Sequence, residues 1–204
     1  MSGPMSFSYP PGLRSLLEEL EAFSASHDAS APDRSSRMLN ITPDTGAFLS
    51  VLVRSRGARN ILELGTSNGY STVWLASAAK EVEGEVTTVD INPAKTALAR
   101  KNLERAGLEA LVHLHTGDAG EFLNQGPVGR WDFIFLDADR AVYPGWWPHV
   151  WRSLRPHGLL VVDNATSHAA QMEPFFELIR QQPDASHVLA PVGKGELMVL
   201  KNAG

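Results

Sequence analysis

The chain has 204 residues, 43% of them hydrophobic and 20% charged, which suits one globular domain with a real core and excludes disorder as a global description. Eighteen Lys and Arg against 23 Asp and Glu give a formal net charge of -5, and no basic run offers a footprint for nucleic acid or anionic lipid. Without cysteine there are no disulfides, thiolate metal sites or cysteine nucleophiles, so any metal must sit on oxygen or imidazole.

Met1–Pro11 lacks the basic start and apolar run of a secretory signal, and no stretch approaches the ~18 apolar residues of a membrane span, so a cytoplasmic protein is expected. Gly12–Ser26 has the periodicity of an amphipathic helix, with a stripe of Leu13, Leu16, Leu17, Leu20 and Phe23 suited to the chain's own core or to a partner. A polar stretch separates it from a second helix over Pro43–Arg56. From Asn60 onward short apolar runs alternate with helical stretches, the pattern of an α/β fold with a mostly parallel sheet. The runs predict seven strands, at Ile61–Leu64, Val86–Val89, Leu111–Leu114, Phe133–Leu136, Leu159–Val162, His187–Leu189 and Leu197–Leu200. Helices are predicted between them at Tyr70–Lys80, Pro93–Ala106, Asp118–Asn124, Tyr143–Leu154 and Ala169–Gln181. Pro191–Gly195 is too short for a crossover helix, so the last strand is expected to run antiparallel, joined by a hairpin. The whole, residues 1–204, is expected to be one domain, with an N-terminal helical cap at 1–58 and an α/β core at 59–204.

The chemistry concentrates where the predicted strands end. Ile61–Leu64 runs into Gly65, Thr66 and a further turn that opens a helix, an arrangement that lets backbone approach a nucleotide cofactor and offers it free N–H groups. Ser67 stands where a full Gly-x-Gly-x-x-Gly would have its second glycine, and a plain strand-to-helix turn is the alternative. Asp90 ends the second strand, where a carboxylate accepts both hydroxyls of a ribose; the alternative is a cap for the helix near Pro93. Gly117-Asp-Ala119 closes the third strand on the same edge. The fourth and fifth strands end in Asp137 and in Asp163-Asn164, two carboxylates and an amide oxygen that suit a hard cation such as Mg²⁺, unless each simply starts a turn.

In order and spacing, the segments 63–71, 89–93, 117–119, 135–139 and 158–164 resemble the cation-dependent O-methyltransferases, the group containing catechol and caffeoyl-CoA O-methyltransferases; the resemblance covers about Leu39 to Lys201. It implies a Rossmann-like class I methyltransferase fold that binds S-adenosylmethionine and a divalent cation, Mg²⁺ fitting best. It further implies that Glu63, Gly65 and Ser71 line the methionine part of the cofactor, with Thr66 also at the cofactor, that Asp90 holds the ribose, and that Ala119 lies by the adenine through its backbone. Ile41 would close over the cofactor. Asp137 would touch both metal and cofactor, with Asp163 and Asn164 completing the metal ligands. Dimers are common in this family, so a homodimer is an expectation too.

The chain departs from the family at Arg140, where a lysine is the usual general base. A guanidinium keeps its proton at any relevant pH, so Arg140 can steady a phenolate but cannot take a proton, and the base would be Asp139, His168 or solvent; a plain salt-bridging role is the alternative. Glu196 aligns with a glutamate that meets a substrate hydroxyl in the catechol enzyme. Trp146 and Trp147 read as core or interface anchors rather than a substrate wall. The expected activity is methyl transfer to a small vicinal-dihydroxy acceptor. Its rivals are a metal-independent methyltransferase, a nicotinamide oxidoreductase, disfavoured by the broken glycine pattern, and a non-catalytic cofactor-binding module.

Overall fold

The computed structural model describes residues 12–203, so the reading of Met1–Pro11 lies outside the described residues. Two helices, α1 (Leu13–Ser30) and α2 (Pro43–Arg56), precede an alternation of β1 (Asn60–Leu64), α3 (Tyr70–Glu81), β2 (Glu85–Asp90), α4 (Pro93–Ala106) and β3 (Val112–Thr116). Then come α5 (Ala119–Gln125), β4 (Trp131–Leu136), α6 (Tyr143–Ser153), β5 (Leu154–Val162), α7 (Ala169–Arg180), β6 (Ala185–Ala190) and β7 (Glu196–Lys201). All seven expected strands form one sheet in the order β3-β2-β1-β4-β5-β7-β6. The first five pair in parallel, and β7 lies antiparallel between β5 and β6, as the short hairpin requires.

Period-two alternation divides the central strands between two cores. Ile61, Phe133, Phe135, Leu159 and Val161 face α1 to α4, while Leu62, Leu64, Ile134, Leu136, Leu160 and Val162 face α5 to α7. The α1 stripe of Leu13, Leu16, Leu17 and Leu20 is buried in the first of these cores, which leaves Phe23, 42% exposed, as its single unburied member. The stripe therefore serves the chain's own interior. Among the described residues no helix is long and apolar enough to cross a membrane.

Boundaries moved where local turn chemistry competes with the apolar pattern. Helix α1 runs on to Ser30 instead of stopping at Ser26, because its polar last turn is closed by Ser30 Oγ hydrogen-bonding back to Ser26 and His27 carbonyls. Helix α6 stops at Ser153, and β5 begins at once with Leu154 paired to Trp131; Pro156 and Gly158 in this stretch cannot extend a helix. Leu111 belongs to a short 3-10 turn, so β3 starts at Val112.

Candidate active site

The order β3-β2-β1-β4 reverses the direction of winding between β1 and β4, and the carboxyl ends of these two strands diverge into a crevice, the usual ligand position of such sheets. A cavity of about 800 Å³ opens there. Of the residues expected at a cofactor, Ile41, Gly65, Thr66, Ser71, Asp90, Ala119 and Asp137 line it, together with Asn164 and the candidate catalytic residues Asp139, Arg140 and His168.

The cofactor end is built from backbone turns held by carboxylates. Asp90 accepts from Ser67 N (2.8 Å) through Oδ2 and from Asn92 N (2.9 Å) through Oδ1, which fixes its plane and leaves a lone pair on each oxygen for a diol. It is not a helix cap: Asn92 caps α4, accepting from Ala94 N and Lys95 N. Gly65 has φ 108°, and a Cβ there would stand 2.0 Å from the Asp137 carbonyl oxygen, so the first and fourth strand ends touch at a position only glycine fills.

Over this crevice runs the segment 31–41 between α1 and α2. Asp28 clasps it by accepting from Met38 N (2.7 Å) and Leu39 N (2.8 Å), and from below Ser67 Oγ donates to Met38 O (2.7 Å) and Lys95 Nζ to Arg37 O (2.6 Å). Met38, Ser67 and Trp146 also line the cavity; Met38 was not singled out from sequence, Ser67 only as a break in the glycine pattern, and Trp146 only as an anchor. The tryptophan pair divides: Trp147 is an interior anchor against Trp151 (5.0 Å) and Phe175 (5.5 Å), while Trp146 forms cavity wall.

Glu63 differs from its expected place. It is fully buried beneath the cavity floor, where it accepts from Ser71 Oγ (2.5 Å), Thr72 Oγ1 (2.5 Å) and Thr88 Oγ1 (2.6 Å), and it reaches the cavity only through Ser71. Burial outweighs these three donors and raises its pKa from 4.5 to about 7. A carboxyl whose pKa is higher folded than unfolded binds more protons in the folded state, so its contribution to stability is full below pH 4.5 and is lost as pH rises through 7. That loss amounts to ~3 kcal/mol, at ~1.4 kcal/mol per unit. Glu63→Gln is therefore expected to flatten the fall in melting temperature between pH 5 and pH 8; an unchanged slope would place the titrating group elsewhere.

The acidic end lies where β4 and β5 finish side by side, Leu136 paired with Val162. Asn164 Nδ2 stands 2.5 Å from Asp163 Oδ2 and 3.4 Å from Asp137 Oδ1, so the three expected metal ligands do converge. Burial, then the charges of Asp163 and Glu63, push the Asp137 carboxyl well above the usual carboxylate range, against the opposing fields of Arg140 and Lys194. Asn164 adopts φ 65°, the left-handed conformation that asparagine tolerates better than most residues and that turns its amide toward the two acids. Two crowded buried carboxylates call for a cation, and an amide's oxygen and nitrogen are exchangeable by a half turn, so the donor set fits one. Among the described residues no three His, Asp or Glu side chains cluster as ligands, so a cation held here would need the Asn164 amide oxygen beside the two carboxylates.

Around this end, Tyr143 Oη accepts from Ala138 N (2.7 Å) and donates to Ala138 O (3.0 Å), locking the turn that follows Asp137. Asp139 caps the next turn through Ala141 N (3.1 Å) and is exposed. His168 has Ser167 Oγ 2.9 Å from Nδ1; partial burial, then Arg140, Arg34 and Lys194, hold its pKa below the ordinary imidazole value. Arg140 makes no salt bridge among the described residues and is 7% exposed at the cavity wall.

Glu196 also departs from expectation. It is sealed behind the acidic end, 0% exposed, accepts from Thr45 Oγ1 (2.8 Å), and does not line the cavity. Burial first, then the Asp163 charge, raise it to about 10, so it backs Asp163 from within as a protonated carboxyl.

A sequence profile described as O-methyltransferase matches residues 9–201. The chain is 40% identical over 129 residues to a catechol O-methyltransferase of Niastella koreensis, a match spanning 62% of this chain and 58% of that one. To a catechol O-methyltransferase of Mycobacterium tuberculosis it is 36% identical over 124 residues, spanning 61% and 56%. The chain thus spans little more than half the length of these two relatives. The crystal structure of an O-methyltransferase from Bacillus cereus in complex with SAH superposes with a TM-score of 0.76 at 31% identity, covering 92% of this chain and 91% of that one. With the cofactor crevice and acidic strand ends in place, the chain belongs to the O-methyltransferase family of the catechol and caffeoyl-CoA type, whose members use S-adenosylmethionine.

Proposed function

We propose that this enzyme transfers the methyl group of S-adenosylmethionine to one hydroxyl of a small vicinal-dihydroxy acceptor, with Asp137, Asp163 and Asn164 holding a divalent cation, Mg²⁺ fitting best. The observation that carries the reading is the meeting of Asp137 and Asn164, which line the cavity, with Asp163 buried just behind them, in the same crevice as Gly65 and Asp90. Asp90 presents both oxygens to the ribose, and the Gly65–Ser67 turn gives the cofactor backbone room. Asp137 belongs to both ends and sets the distance between methyl donor and acceptor, the main task when the electrophile is already reactive. A divalent cation in this donor set supplies Lewis acidity that lowers the pKa of an acceptor hydroxyl. His168, which lines the cavity beside Arg140 and Asn164, is the candidate base for the released proton; burial and the charges of Arg140, Arg34 and Lys194 hold its pKa below the ordinary imidazole value.

The test is formation of S-adenosylhomocysteine from a panel of catechols and monohydroxy analogues, with Mg²⁺, with Mn²⁺ and with chelator. Turnover of the vicinal diols that chelator abolishes is the expected result. Full activity in chelator would favour the metal-independent reading, and cofactor binding without any turnover would favour a binding module.

A further inference from the structure

Three cationic side chains line the acceptor end of the cavity: Arg34 from the segment above it, Arg140 from the turn after β4, and Lys194 from the β6–β7 hairpin. Exposed and half-buried cations elsewhere in this chain have acceptors. Arg155 pairs with Asp132 at 2.7 Å, Arg152 donates to three carbonyls, and Lys201 Nζ donates to the carbonyls of Trp151 and Leu154. Arg140 is treated otherwise. It is 7% exposed, no ion pair joins it to Asp137, and none of its nitrogens donates a hydrogen bond among the described residues; its Nε, like those of Arg37 and Arg152, is buried without a partner. Arg34 and Lys194 form no ion pair among the described residues either. An unpaired buried guanidinium is costly, so the arrangement is one that a ligand completes.

We infer that the acceptor carries a carboxylate in addition to its hydroxyls, and that Arg140, assisted by Lys194, binds it. A guanidinium fork matches a carboxylate with two parallel hydrogen bonds, which a lysine at this position would not supply. The hairpin is held to the turn after β5 by Ala165 N to Gly195 O (2.8 Å) and Ser167 N to Lys194 O (3.1 Å), which fixes the Lys194 backbone beside Asn164 and His168. The depressed pKa of His168, caused by burial and then by Arg140, Arg34 and Lys194 in turn, agrees with all three charges bearing on one place.

The inference rests on the methyltransferase reading, and the experiment separates the two. Catechol and 3,4-dihydroxybenzoate, which differ by one carboxylate, are titrated calorimetrically into protein loaded with S-adenosylhomocysteine and Mg²⁺, and both are assayed for methylation. The wild type is expected to bind the carboxylate probe about tenfold tighter or more. Arg140→Gln and Lys194→Gln should each shrink that preference, Arg140→Gln to near parity. Binding of S-adenosylhomocysteine to Arg140→Gln shows that its pocket has formed; should that variant not fold, the exposed Lys194→Gln decides. Equal affinity of the wild type for both probes, or a preference that neither variant diminishes, overturns the inference. Methylation of catechol without any carboxylate preference sinks this inference alone, whereas methylation of neither probe sinks the activity beneath it.

Discussion

Asp163→Ala, which removes one of the three proposed cation ligands, is expected to lower methyl transfer by about three orders of magnitude, the several kcal/mol such a ligand contributes to the transition state, while S-adenosylhomocysteine binds nearly as before. The separation follows from position. Asp163 is 3% exposed at the end of β5, whereas the cofactor contacts lie on the β1 and β2 side of the crevice. Folding should survive, because removing Asp163 relieves the repulsion that raises Asp137. Calorimetric titration of S-adenosylhomocysteine beside a turnover assay checks both halves. Equal loss of binding and turnover would show that Asp163 supports the cofactor crevice rather than a cation.

Gly65→Ala should lose cofactor binding and stability together. The added Cβ would meet the Asp137 carbonyl at 2.0 Å and its carbon at 2.7 Å, both backbone atoms that cannot rotate away. The ends of β1 and β4 would have to part, at ~3–4 kcal/mol, which for a chain of this size lowers the melting temperature by roughly 10 °C. Gly107→Ala is the control. Gly107 also has a positive φ, 65°, but a Cβ there meets nothing within 4 Å, so only the local conformational cost of ~1 kcal/mol applies. If the two variants lose the same stability, the close approach is not what demands glycine at position 65.

The sheet was legible because its central strands are apolar on both faces and their ends carry the unusual residues. Asp90, Asp137, Asp163 and Asn164 each follow such a run, and a parallel sheet brings its strand ends to one edge. The burial of Glu63 could be deduced: it shares a face with Ile61, which is core, and register sets it opposite Thr88, one of its three donors. Lys194 was recoverable as well. An antiparallel β7 must begin where β5 ends, Leu197 beside Val162, which brings the hairpin to the active edge. What sequence periodicity does not carry is the clasp on segment 31–41, because Asp28 reaches Met38 and Leu39 through a polar, non-repeating stretch whose path is set by tertiary contacts. Nor does it show that Glu196 is withdrawn from the cavity, since strand alternation gives a face and not a depth.

The insertion of β7 between β5 and β6 also imposes an order on assembly. Strand β6 leaves the ribosome before β7, yet among the described residues its one sheet neighbour is β7, so it must wait unpaired until the later strand has docked on β5. The same docking delivers Lys194 and Glu196, so the Gly65 and Asp90 side of the crevice can take shape on the nascent chain before the side near Asn164 is complete. A ligand of that first half could therefore act as a folding template, selecting chains whose early strands are correctly registered before the final strand closes the sheet.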